Sequence, residues 1–166
     1  MNALVVYYSK TGHTKAVAER IAKELGADIA HEVGADIERI AEAGRPAGAV
    51  RAVLAALLGR KPHIAPLKRS PGDYDLVIIG TPVWGGGPAP AVCEFLSTAA
   101  LDDVPVAWFC TFGGSGDEAT FEMMQKIAPS ARVLAHVALS HADRKNTATV
   151  EKKISAFCSE IREALA

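Results

Sequence analysis

The stretch Ala3-Leu4-Val5-Val6-Tyr7-Tyr8-Ser9-Lys10-Thr11-Gly12-His13-Thr14 decides the fold. Its first six residues are an unbroken apolar run rich in valine and tyrosine. That composition suits a strand covered on both faces, as in a parallel sheet. The next six residues carry three hydroxyls and a glycine. After them Val17, Ile21 and Leu25 recur at helical spacing. A buried strand that turns through a polar loop into an amphipathic helix begins a β-α-β unit.

The same alternation continues along the chain. Leu76 to Ile79, opened by Asp73-Tyr74-Asp75, is a second apolar run. Val104 to Phe112, with Pro105 near its start, is a third, and Arg132 to Leu139 is a fourth. Ala27 to Val33 is a weaker strand candidate suited to a sheet edge. Helical stripes fall between these runs: Val50, Val53, Leu54, Leu57 and Leu58, with Pro46 near the start and Gly59 at the end; Val92, Phe95 and Leu96, entered through Pro88 and Pro90; Phe121, Met124 and Ile127, closed before Pro129; and Val150, Ile154, Phe157, Ile161 and Leu165. The order implies a doubly wound α/β fold. Gly26-Ala27-Asp28-Ile29 recurs as Gly34-Ala35-Asp36-Ile37, too short to mark a repeat architecture.

Composition bounds the function. The 166 residues suit one domain spanning residues 1–166, and the net charge of -1 points neither to nucleic acid nor to a strongly acidic protein. Cys93, Cys110 and Cys158 are far apart without a CxxC, so they read as reduced core thiols rather than a disulfide framework or metal site. No triad or metal-ligand cluster stands out. No basic leader precedes the first strand, and no apolar stretch approaches the roughly 20 residues that span a bilayer. The cytoplasm is the expected location.

In an open α/β sheet, ligands bind beyond the carboxyl ends of the strands, where strand order reverses. Three loops at predicted strand ends are unusual. Ser9-Lys10-Thr11-Gly12-His13-Thr14 joins three hydroxyls to a helix start, where free N–H groups and the positive dipole end converge. Together these suit a phosphate site; the alternative is a plain helix N-cap, which needs only one of the three hydroxyls. The loop has neither the Walker A nor the GxGxxG spacing. Gly80-Thr81-Pro82-Val83-Trp84-Gly85-Gly86-Gly87-Pro88 sets a flat aromatic face beside three glycines that let backbone approach a ligand. Thr111-Phe112-Gly113-Gly114-Ser115-Gly116-Asp117-Glu118 again offers three glycines, with Ser115 or Asp117 as the expected cap of the next helix. Trp108, inside a predicted strand, reads as core.

Ser9-x-Thr11-Gly12-x-Thr14 after a Val-Tyr-Tyr strand resembles the FMN phosphate loop of flavodoxins. The resemblance covers nearly the whole chain, with Glu38 to Lys68 the least matched part. It implies a flavodoxin-like three-layer α/β/α sandwich, with a five-stranded parallel sheet in order 2-1-3-4-5. It implies that Ser9, Thr11, Gly12, His13 and Thr14 surround the phosphate, with Lys10 beside them. Thr81-Pro82-Val83-Trp84-Gly85 resembles the family's Thr-Pro-x-Trp/Tyr-Gly loop. By that likeness Trp84 stacks on the isoalloxazine and the Trp84-Gly85-Gly86 peptides lie near N5. The third loop then holds the pyrimidine edge through Thr111, Phe112, Gly113, Gly114 and Gly116. Electron-carrier flavodoxins often place a Tyr in that loop, and this chain has only Phe112.

The leading expectation is an FMN-binding electron carrier between redox partner proteins. The alternatives are an FMN-dependent NAD(P)H:quinone-type reductase or menaquinone-linked protoporphyrinogen oxidase relative, acting on a small quinone or nicotinamide substrate, and a phosphate- or nucleotide-binding module without flavin. The basic residues Arg39, Arg45, Arg51, Arg60, Lys61, Lys68 and Arg69 read as a solvated face or, alternatively, a docking patch for an acidic partner or anionic substrate. Ser140 to Asn146 reads as a polar loop, with Asn146 or Thr147 capping the last helix.

Overall fold

The structure, a computed structural model, describes residues 1–28, 35–39, 64, 67 and 69–166. Five parallel strands form its centre: β1 (Ala3–Tyr7), β2 (Ala35–Arg39), β3 (Leu76–Trp84), β5 (Pro105–Phe112) and β6 (Arg132–Ser140). A two-residue strand, β4 (Gly87–Pro88), pairs antiparallel with the end of β3. The order is β2-β1-β3-β5-β6, which is the expected 2-1-3-4-5 for the parallel strands. The described helices are α1 (His13–Asp28), α2 (Pro90–Thr98), α3 (Asp117–Ile127), the single-turn α4 (His141–Arg144) and α5 (Thr147–Leu165).

Strand β1 shows why the layers form. All five of its residues are buried, and successive side chains face opposite sides. Ala3, Val5 and Tyr7 join Val17, Ile21 and Leu25 of α1 and Ile154, Phe157 and Ile161 of α5. Leu4, Val6 and Tyr8 join Val92 and Phe95 of α2 and Phe121 and Met124 of α3. One apolar strand thus feeds two cores, and a helical layer covers each face. Trp108 lies in the second core, 2% exposed, as expected. Cys110 and Cys158 are buried, Cys93 is half-buried, and none of the three is in a disulfide. Burial, with Asp117 nearby, pushes the Cys110 thiol up to about 12, so it stays protonated at neutral pH.

Gly80 fixes how β3 meets β5. A Cβ at this position would lie 2.0 Å from Cζ of Phe109, so the missing side chain makes room for that fully buried ring. The chain leaves β1 for β2 on one side and β3 on the other. The strand order therefore reverses between β1 and β3, and the loops after them flank a crevice.

Some expectations need correction. The edge strand is Ala35–Arg39, not Ala27 to Val33: α1 continues through Asp28, and 29–33 lie outside the described residues. The two Gly-Ala-Asp-Ile copies have the same local signal, and pairing of Ala35 with Ala3 selects the second. The second run does not end at Ile79, because β3 carries on through Trp84. Neither Ser115 nor Asp117 caps α3; the cap position is Gly116 in a left-handed conformation, without a side-chain bond. Residues Ser140 to Arg144 are not simply loop. Ser140 and Asp143 form a reciprocal capping box that starts α4. The predicted helix around Val50 to Leu58, and most of the basic segment, lie outside the described residues.

Candidate functional site

At the carboxyl ends of β1, β3 and β5 lies a cavity of about 180 Å³. Its lining is Lys10, Thr11, His13 and Thr14 from the first loop, Pro82, Val83 and Trp84 from the second, Thr111, Phe112 and Gly113 from the third, and Arg144. All three singled-out loops therefore converge on one space. Ser9, Gly12, Thr81, Gly85, Gly86, Gly114 and Gly116 are outside the lining, and most of these shape the loops.

The hydroxyls of the first loop divide their work. Ser9 is buried, and its Oγ accepts a hydrogen bond from the Gly12 N–H at 3.2 Å, which closes the turn. Gly12 at φ +89 adopts the left-handed conformation the turn requires. Thr14 is buried and shares a 2.9 Å hydrogen bond with the Thr111 hydroxyl, tying the first loop to the third. Thr11 is exposed at the cavity. The first turn of α1 carries no acidic side chain, so nothing local offsets its positive dipole end. Lys10 and His13 add to that polarity at the cavity wall.

The second loop is a β-hairpin. Val83 pairs with Pro88 and Trp84 with Gly87, leaving Gly85 and Gly86 as the two-residue turn. Both have positive φ, +60 and +81, as a type I′ turn demands. Thr81, fully buried, donates to the Pro82 carbonyl and accepts from the Ala89 N–H at 2.9 Å. Its hydroxyl locks the hairpin root rather than facing the cavity. Gly116 packs the third loop onto this turn: a Cβ there would meet the Gly86 Cα and the Val83 Cγ1, both at 3.1 Å.

Trp84 is half-buried, and two neighbours fix its indole. The Tyr8 ring meets it edge-on at 5.5 Å, and the Lys10 ammonium sits 5.9 Å from its centroid. The sequence does not mark Arg144 as a site residue. Its Nη1 donates to the carbonyls of Phe112 at 3.0 Å and Leu139 at 2.7 Å, which places the guanidinium in the cavity wall. Burial lowers the Arg144 pKa, and the charge of Asp143 opposes that effect. Arg144 lies in the segment read as a polar loop. Nothing in its local sequence separates it from the neighbouring Lys145, so no sequence signal marks it.

This arrangement puts a helix N-terminus with hydroxyl and cationic groups in the same cavity as an aromatic face and a glycine-rich backbone. The flavodoxin family profile matches residues 2–154. The chain belongs to the flavodoxin family. Flavodoxins are FMN-binding flavoproteins, and the donor set of this cavity fits a phosphorylated aromatic cofactor. No curated protein matches the chain. Among solved structures it is similar to a flavoprotein in complex with FMN from Lactobacillus acidophilus NCFM, at 26% identity and TM-score 0.66, over 82% of this chain and 92% of that one. It is also similar to a chain described as a flavoprotein from Bacteroides eggerthii DSM 20697, at 25% identity and TM-score 0.78, over 97% and 98%. A flavodoxin from Streptococcus pneumoniae TIGR4 shares the fold at 15% identity and TM-score 0.62, over 98% and 99%.

Proposed function

We propose that this flavodoxin-family protein holds one FMN in the cavity described above and passes electrons between redox partner proteins. FMN supplies the electron chemistry when bound, and the chain supplies position and charge. The opening N–H groups of α1 have no intrahelical acceptor, and with the Thr11 hydroxyl they hold the phosphate. Lys10 adds positive charge to that end, and His13 adds a polar ring. Trp84 gives the ring system a flat apolar face, its angle set by Tyr8. Thr111, Phe112 and Gly113 hold the polar pyrimidine edge through backbone groups. Pro82, Val83 and Phe112 keep water from the ring. The observation that carries this reading is the convergence of all three loops on one cavity.

A second reading, a flavin reductase for a small aromatic acceptor such as a quinone, draws support from Phe112. It is the one aromatic residue in the third loop, which has no Tyr to lie over the cofactor's other face. A visible absorption spectrum followed by reductive titration and steady-state assays tests the two. The carrier reading expects a yellow protein, reversible reduction, and negligible turnover with NADH or NADPH and quinones. Rapid turnover with a quinone would replace it with the reductase reading. A colourless protein that takes up no flavin would overturn both.

A further inference from the structure

The cavity wall carries three basic side chains, Lys10, His13 and Arg144, and no carboxylate among its described lining residues. They differ in placement. Lys10 and His13 are exposed, whereas Arg144 is partly buried and pinned by two backbone carbonyls. One of those carbonyls belongs to Phe112, in the loop assigned to the pyrimidine edge. The Arg144 Nε is buried and finds no hydrogen-bond partner among the described residues. A guanidinium stays charged in such a setting, and its planar fork fixes where the charge points.

We propose that Arg144 sets the redox potential of this site by placing a fixed positive charge beside the pyrimidine edge of the flavin. The inference rests on the FMN reading above. Two-electron reduction takes up two electrons, here from dithionite, and one proton from solvent. The ring system, neutral when oxidised, then carries one negative charge, centred on the N1 and C2 carbonyl region. A nearby cation stabilises that anion and does little for the neutral oxidised ring. Arg144 thus favours the reduced cofactor and raises the midpoint. Asp143, the neighbouring carboxylate that interacts with Arg144, offsets part of this field. Lys153, 2.9 Å from Asp143, in turn neutralises part of the carboxylate.

The test is a dithionite titration of the FMN-loaded protein against reference dyes, for wild type, Arg144→Gln and Arg144→Lys. FMN affinity is measured in parallel for each. Arg144→Gln is expected to shift the reduction equilibrium about tenfold toward the oxidised form, a fall of about 30 mV for a two-electron couple. It should loosen reduced FMN about tenfold more than oxidised FMN. Arg144→Lys keeps the charge and is expected to recover most of the midpoint. A purely structural role would weaken both redox states alike in both variants and leave the midpoint in place, which would overturn the inference. If Arg144→Gln does not fold, Asp143→Asn reads the same field with the opposite sign: its midpoint is expected to rise, and an unchanged one would be contrary. Failure of the wild-type protein to bind FMN would instead defeat the cofactor reading, a separate result.

Discussion

Single residues carry much of this architecture by what they lack or lock. Gly80 is the clearest case, because any side chain there would run into the Phe109 ring. Phe109 is fully buried and cannot swing away without disturbing both its neighbours and β5. Gly80→Ala should therefore destabilise the fold by about 1–3 kcal/mol, the usual range for overpacking a filled core. Urea denaturation of the two proteins checks this, and an unchanged midpoint would mean that Phe109 has room to shift. The sequence showed Gly80 only as the opening residue of a glycine-rich loop. Its partner lies 29 positions away along the chain, as their numbers show, and no local pattern reveals the contact. The same holds for the Thr14 to Thr111 hydrogen bond, which joins residues 97 apart. Arg144 was illegible for a related reason. Its placement depends on carbonyls presented near two different strand ends.

Elements were easier to read than residues where a period or a cap marks them. The α5 stripe from Val150 to Ile161 is buried as its spacing implies, and Asn146 caps the helix by accepting from the Thr149 N–H. The hairpin reads as a loop in the sequence because its paired portion contains Pro88 and is only two residue pairs deep. Its function follows from its stiffness. A type I′ turn and the Thr81 lock fix the backbone that carries Trp84, and the proposed site uses its indole as a flat face. Trp84→Ala should weaken FMN binding by about 0.5–1.5 kcal/mol beyond the loss of buried area. In the unaltered protein FMN should quench tryptophan fluorescence. Undiminished affinity in the variant would remove Trp84 from the site. The α4 capping box makes a different prediction. Hydrogen bonds from Lys153 first and then from the Ser140 N–H hold the Asp143 carboxyl down at about 2, below its ordinary 3.8. Its folded form is thus favoured above the ordinary value, and that stabilisation is lost as pH falls from about 5 toward about 2. Asp143→Asn should be less stable than the parent at neutral pH and lose less stability on acidification. Parallel denaturation curves at neutral pH and near pH 3 measure this; equal acid sensitivity would contradict it.

At the scale of the whole molecule, strand order and the position of the cavity follow from the same pattern of buried runs. Each run of alternating side chains feeds both cores, which forces helices onto both faces of the sheet. The reversal between β1 and β3 then brings the loops after those strands together. That much was legible, because β-α alternation and loop composition are local signals. The exact edge strand was not, since two identical tetrapeptides competed and only pairing with β1 separated them. The central claim is that this convergence binds FMN with its phosphate at the start of α1. Calorimetric titration of the flavin-free protein with FMN and with riboflavin tests it most directly, because the two ligands differ only in that phosphate. Each hydrogen bond to a charged phosphate contributes about 1.5–3 kcal/mol, so FMN should bind at least about tenfold more tightly. Equal affinities for the two would contradict the account.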